Sequence, residues 1–370
     1  MMTRALRLAV LSAASACALM LPNAHAAPPI VIGQSLPLTG TGFTASNRVL
    51  QGTRAAVEAV NQAGGIGGRQ IELVTLDDAN DPALHATNMQ RLVDRNKAVA
   101  LLNCLGDALC SVSAKVANET RTALVGPISG LPSLRIDGGG FVFAPRADLV
   151  REAKTLARQL KGLGIIASAV MIDETTGDER TGVITQALRS EGIAATVIKT
   201  SHSRLAADLL RTKDAPALVV ELGFDAIDAL GRLSEAELQN APRLLASLAT
   251  PGLATLFKLF PGRIIGFTSV VPNPEIPSSA LVQKLTGDAD NAGAAALTFE
   301  GLEGYVNALV CIEALRRAGA QVNSRTVAET IPKLGRLDLG GFVLTFGRPG
   351  RSASDQVDLG MRTRDGRLLR

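Results

Sequence analysis

The chain has 370 residues, too many for one simple core and suited to two α/β domains. Hydrophobic residues make up 46% and charged residues 19%, with a formal net charge of +4, which excludes a disordered chain. No basic cluster stands out and aromatics are only 3%, against nucleic-acid binding, which needs a basic stripe and usually stacking rings.

The first residues read as a secretory leader. Arg4 and Arg7 form a charged start, an apolar and small-residue run extends from Leu6 to Leu21, and Ala24-His25-Ala26 presents an A-x-A site. Cleavage is expected after Ala26, giving a periplasmic mature chain. Cys17 offers the alternative of a lipid anchor, although Ala14 stands where a lipoprotein signal carries a larger aliphatic residue. No later uninterrupted run of about 18 apolar residues reads as a membrane span.

Short apolar strands then alternate with amphipathic helices. Ile30 to Gly33 reads as a strand, Ala45 to Asn61 as a helix with Val49, Ala56, Val57 and Val60 on one face, and Ile71 to Leu76 as the next strand. Gly64 to Gly68 follows a helix and precedes a strand, the reverse of a dinucleotide fingerprint, so it reads as a helix stop. Asp77, Asp78, Asn80 and Asp81 lack the glycine and terminal Glu of a calcium loop and read as strand-end and capping residues, with Asp81-Pro82 opening a helix. A strand at Val99 to Leu102, a helix near Ala108 to Asn118 and a strand at Ala123 to Val125 complete a run that implies a parallel sheet covered on both faces. A second run begins near Asp148. Its helix repeats Leu149, Ala153, Leu156, Ala157 and Leu160, and strands are expected at Ile165 to Ile172, Thr196 to Ile198, Ala217 to Val220, Leu244-Leu245 and Ile264 to Val270. The proline-rich Val271 to Pro277 reads as a crossover, Leu302 to Arg317 as a long helix, and Phe342 to Phe346 and Gln356 to Met361 as strands. Sheets of this kind bind ligands beyond the carboxyl ends of their strands.

Cys104 and Cys110 either close a small disulfide loop or stay as two buried thiols, and Cys311 falls in a helical apolar stripe. No His lies near them, so no metal site is expected. His85 and His202 are isolated and read as surface or incidental residues. Tyr305 reads as a core residue with a satisfied hydroxyl, and Glu221, at a strand end, either as the partner of a second-lobe base or as a ligand contact. Asp107 either faces a cleft or caps the helix starting at Ala108. No nucleophile–base motif is present, and neither an enzyme nor a cofactor is expected.

Ile32-Gly33-Gln34-Ser35-Leu36-Pro37-Leu38-Thr39-Gly40, then Asn61-Gln62-Ala63-Gly64-Gly65-Ile66-Gly67-Gly68, then Leu76-Asp77-Asp78-Ala79-Asn80-Asp81-Pro82 resemble the periplasmic leucine/isoleucine/valine-binding protein family, the type I binding proteins of ABC importers. Phe143 to Ala147, Leu302 to Tyr305 and Leu339 to Phe342 extend the resemblance in colinear order. It implies two Rossmann-like, doubly wound parallel-sheet lobes joined by crossings near Ala144–Ala147, Val271–Pro277 and Gly347–Ser352, closing on a solute. After a leader at 1–26, one lobe is expected to hold 27–145 with 275–348 and the other 146–274 with 349–370. The implied function is extracytoplasmic capture of a small polar molecule, amino-acid-like, an amide or related, for delivery by a monomer to the membrane permease of an ABC importer. A periplasmic sensor subunit serving a signalling receptor is the alternative. Neither involves nucleic acid.

The resemblance also locates ligand positions. Asp107 stands where the family has a hydroxyl residue for a ligand carboxylate, and Gly130, after Ile128-Ser129, where it has a Thr, so the polar end of the ligand is expected to rest on Ser129, Asp107 and main-chain N–H groups near Ala108. Leu149 stands at a clamping Tyr, Phe224 at another Tyr, and Leu248 at the Glu that takes an α-amino group. An acid at Asp107 facing a ligand carboxylate would be costly, so a ligand offering Asp107 a donor, an amide, amine or hydroxyl, fits better.

Overall fold

The computed structural model describes residues 27–136, 140–249, 252–276, 278–295, 297–347 and 350–369. The leader, its cleavage site and Cys17 lie outside the described residues, as do Pro277, Arg348 and Pro349 of the expected crossings.

Five short apolar strands, β1 (Ile30–Leu36), β2 (Ile71–Asp77), β3 (Ala100–Leu102), β4 (Leu124–Val125) and β5 (Val142–Phe143), pair in parallel in the order β2-β1-β3-β4-β5. Parallel pairing requires crossovers; α1 (Phe43–Gln62), α2 (Pro82–Asp94), α3 (Asp107–Thr120) and the short α4 (Ser133–Ile136) lie in them. The chain then builds a second lobe from α5 (Leu149–Gly162), β6 (Ala167–Asp173), α6 (Asp178–Ser190), β7 (Ala194–Thr200), α7 (Leu205–Arg211), β8 (Leu218–Glu221), α8 (Phe224–Leu230), α9 (Glu235–Leu238), β9 (Leu244–Ser247), α10 (Leu253–Leu259) and β10 (Ile264–Ser269). It returns to the first lobe with α11 (Ala280–Asn291), α12 (Phe299–Ala318), α13 (Ser324–Thr330) and a hairpin of β11 (Arg336–Asp338) and β12 (Val343–Thr345). Finally β13 (Asp358–Arg362) and β14 (Leu368–Leu369) complete the seven-stranded order β14-β13-β10-β9-β8-β6-β7. The fold is two α/β lobes. The second sheet departs from the all-parallel expectation, because β13 pairs antiparallel with β10 and β14 antiparallel with β13.

Local chemistry explains the boundaries. Asp81 accepts the N–H groups of Ala83 and Leu84 at 2.7 and 3.2 Å, capping α2 with Pro82 in its first turn. Asp77 accepts from the N–H groups of Leu38 and Ala79, locking the chain leaving β1 to the end of β2. Gly65 has φ 76°, and a Cβ there would lie 2.1 Å from the Arg69 carbonyl oxygen, so the glycine run stops α1 as its sequence predicts.

The two longest helices cross with glycines at their closest approach, where Thr53 Oγ1 of α1 also donates to the Gly304 carbonyl of α12 at 3.4 Å. A Cβ on Gly52 of α1 would lie 1.8 Å from the carbonyl oxygen of Gly301 on α12, and one on Gly304 would lie 2.4 Å from that of Val49. Asn307 of α12 then reaches the sheet, donating to Asn103 Oδ1 at 2.9 Å and the Gly126 carbonyl at 3.1 Å. Tyr305 is buried, its hydroxyl donating to Asp288 and accepting from Lys284, and Cys311 is a buried free thiol.

His85 is not incidental. It is 0% exposed, with Nδ1 2.7 Å from Asp78 Oδ2 and Nε2 2.7 Å from Ser113 Oγ. Asp78 also accepts from Ser35 Oγ at 2.9 Å, so one buried chain ties β1, α2 and α3 together. The acid–imidazole–hydroxyl order is that of a hydrolase triad. All three members are 0% exposed, so no substrate meets the hydroxyl.

Where the lobes join, the N–H of Ala353 donates to Ala144 O at 2.8 Å and that of Ser354 to Pro145 O at 2.9 Å. Two connecting segments therefore run side by side.

Candidate functional site

Between the lobes lie the strand carboxyl ends and helix starts of both sheets. On the first lobe, β3 leads into Cys104, whose disulfide to Cys110 spans six positions and staples the entry of α3. Gly106, at φ 85°, is the N-cap and makes no side-chain capping bond. Asp107 therefore lies in the first turn and does not cap the helix, which leaves its carboxylate free to point into the cleft. Ser129 donates to Asp107 Oδ1 at 2.6 Å, so the structure brings these two sequence-predicted residues together.

The group that meets them is Arg180, from the first turn of α6 in the opposite lobe. Its Nε and one terminal nitrogen donate to the two oxygens of Asp107 at 2.6 and 2.9 Å, a bidentate pair. Its other nitrogen donates to Glu221 at 3.1 Å, and Glu221 also accepts the N–H of Leu248 at 2.9 Å. The side chains are 26% (Asp107), 15% (Arg180) and 1% (Glu221) exposed. Burial raises the Asp107 carboxyl, but the bonds and charge of Arg180, with Ser129, hold it below the usual aspartate value. Burial also lowers Arg180, and Asp107 and Glu221 more than offset this. Glu221 is pushed up to about 7 by burial, against the opposing pull of Arg180 and the Leu248 N–H. One residue before Arg180, Glu179 accepts the N–H and hydroxyl of Ser133 at 2.9 and 2.7 Å. The start of α6 thus clasps the first lobe at two points.

A second charged cluster sits at the hinge. Arg146 donates to Glu152 at 2.8 Å and to Glu303 at 3.2 Å. Burial raises the Glu303 carboxyl despite Arg146. Arg135 bonds Ser352 Oγ, the carbonyls of Ser129 and Leu131, and, at 3.5 Å, that of Arg146, joining the floor of the cleft to the connecting segments.

The remaining predicted positions divide. Gly130 accepts the Leu149 N–H at 2.7 Å and is tightly packed, since a Cβ there would lie 3.1 Å from Leu149 Cβ and make Leu149 give by a few tenths of an ångström. Leu149 and Leu248 are each 1% exposed in the apolar cluster beneath the cleft. Phe224, on the second lobe, packs against the first-lobe cluster of Leu36, Val49 and Ile128, facing Gly42.

Among the described residues, two cavities between the lobes stand out. A hinge-side cavity of about 110 Å³ has walls from Ile128 on one lobe, Leu253 and Phe257 on the other, the Thr268–Val271 segment, and Glu300 and Glu303 of α12. A mouth cavity of about 170 Å³ lies between Gly42, Phe43 and Arg48 on one side and Phe224, Ile227 and Thr255 on the other, and it shares Glu300. Sequence reasoning missed Arg180, Glu300 and Glu303. Their one signal is a surplus of acids at strand and helix ends, which calls for a base. Among the described residues no group of His, Cys, Asp and Glu is arranged to hold a metal, and no helix is long and apolar enough to cross a membrane.

Residues 29–366 match the family model described as Periplasmic binding protein. The chain is 26% identical over 351 residues to a Leu/Ile/Val-binding protein homolog 3 of Brucella melitensis biotype 1, covering 92% of this chain and 93% of that one. It is 32% identical over 112 residues to an amino acid binding protein of Pseudomonas aeruginosa, a match spanning only 30% of each chain. The fold superposes with a TM-score of 0.81 on a substrate-binding periplasmic protein from Ralstonia solanacearum, at 24% identity over 92% of this chain and 99% of the other.

Proposed function

The chain belongs to the periplasmic binding protein family, and on that premise we propose that it captures a small solute between its lobes and delivers it to the membrane permease of an ABC importer, acting as a monomer and not as an enzyme. The observation that carries this reading is the pair of cavities between two lobes whose facing residues, Asp107 and Arg180, reach across to each other. A solute held by both lobes stabilises only the closed arrangement and so shifts the population toward it. Solute saturating at about 100 times its dissociation constant adds about 2.7 kcal/mol to stability.

The solute is not a branched-chain amino acid. A zwitterion needs donors around its carboxylate and an acid near its ammonium group. In this cleft the acid Asp107 stands where a donor is needed, and no basic residue lines the hinge-side cavity to hold the carboxylate. Calorimetry with leucine, isoleucine and valine should show no submicromolar binding; such binding by any of them would refute this. Mass spectrometry of solute released from protein purified from the periplasm tests the capture reading, which expects an unmodified small molecule. In the same material an N-terminus at Ala27 is expected, and a lipid on Cys17 would replace release by anchoring.

A further inference from the structure

We propose that the hinge-side cavity is the solute pocket of this chain and that its solute is a primary amine with a short alkyl or aryl body and no carboxylate. This rests on the capture reading above and names the chemistry of its ligand.

The centre of the cleft is already filled. Arg180 lies between Asp107 and Glu221 with its bonds made, and Phe224 closes against Gly42. The hinge-side cavity is bounded by both lobes and is walled mainly by apolar side chains, with Ile128, Leu253, Phe257, Val271 and Phe299 among them. An apolar cavity of about 150 Å³ is enough for a benzene ring. At about 110 Å³ this one takes a branched short chain, or a single ring once the lobes part slightly.

Its polar lining has one sign. Three of the lining residues are glutamates, Glu275, Glu300 and Glu303, and none is basic. Glu300 and Glu303 are only 7% and 8% exposed. Each uses Oε1 on an arginine, Glu300 on Arg48 at 3.3 Å and Glu303 on Arg146 at 3.2 Å, and their second oxygens have no donor among the described residues. Arg146 is shared with Glu152, so one guanidinium bonds two carboxylates, while Arg135 acts on both through its charge but spends its bonds on carbonyls and Ser352. An ammonium group supplies three donors to these oxygens, whereas a carboxylate would be repelled by the three glutamates. The positive end of α12 opposes a cation, but it amounts to about half a unit charge, and Thr298 Oγ1 already accepts the Gly301 N–H. The glutamates therefore decide the sign.

Isoamylamine and benzylamine titrated calorimetrically into the full mature chain, beside isoamyl alcohol, benzyl alcohol and isovalerate, test this. The amines should bind at least about tenfold more tightly than the alcohols, and isovalerate should not bind. Glu300→Gln should weaken the amines about tenfold, the loss of one charged hydrogen bond. Ala254→Trp fills the cavity from an exposed position on α10 without touching an ion pair, and should abolish amine binding. The proposal falls if alcohols or isovalerate bind as well as the amines, or if both variants bind amines like the parent. A released solute without an amine overturns the class and leaves capture standing. Absence of any solute, with no probe compacting the protein in solution scattering, overturns both.

Discussion

Arg180 stands between two acids that answer pH in opposite ways. Glu221 is lifted to about 7 from an ordinary 4.5. Between those values the folded chain holds a proton that the unfolded chain has released, so this group's contribution to stability falls as pH rises through the window. Asp107 is held below its ordinary 3.8, so its contribution is present above that value and is lost as pH drops through the lower folded value. Glu221→Gln removes only the first dependence. Its melting temperature should therefore vary less than the parent's between about pH 5 and pH 7; an equal slope in the two proteins would show that Glu221 does not titrate there. At this scale the sequence shows half of the clasp. Asp107 and Ser129 stand out through the family resemblance, and Glu221 at its strand end suits either a base or a ligand. Arg180 stays hidden because Gly177-Asp178-Glu179-Arg180 has the composition of any solvated helix start, and its partner lies 73 positions away on another lobe. His85 is hidden for the same reason, since its two partners come from different elements.

Among the elements, the glycines of the α1–α12 crossing and a glycine on α6 make opposite predictions. A Cβ at Gly52 meets backbone 1.8 Å away that no side-chain rotation can relieve, so Gly52→Ala should destabilise by about 1–3 kcal/mol. Gly182 sits inside α6 with nothing within 4 Å of a Cβ, so Gly182→Ala should stabilise by about 0.4–1 kcal/mol through the unfolded chain. Urea midpoints of the two variants measure both signs; a stabilised Gly52→Ala would mean that the helices cross further apart. Most strands and helices are legible from periodicity, β6, β8 and α12 to within a few residues of their ends. The pieces that escape, β5, β11 and β14, are two or three residues long, too short for any period to register. The antiparallel edge escapes too, because pairing direction depends on where the chain returns from.

For the molecule as a whole, Arg180 and Glu179 supply hydrogen bonds from α6 that span the cleft. Arg180→Met should therefore enlarge the radius of gyration of the solute-free protein in solution scattering, while leaving each lobe folded by circular dichroism. An unchanged radius would assign the closure to Phe224 and the hinge instead.

The return of α11, α12 and α13 to the first lobe also sets a timetable. Ile30, Ile32, Ala100 and Leu102 share their core with Leu302, Val306, Ile312, Val327 and Leu344. A ribosome adding about 5–20 residues per second delivers those partners on the order of ten seconds or more after the first strands. Until then one face of the early sheet is bare, and the nascent chain has nothing with which to finish its first lobe. Discontinuity in sequence thus acts as a delay built into the fold, keeping the chain threadable until its final helices have been made.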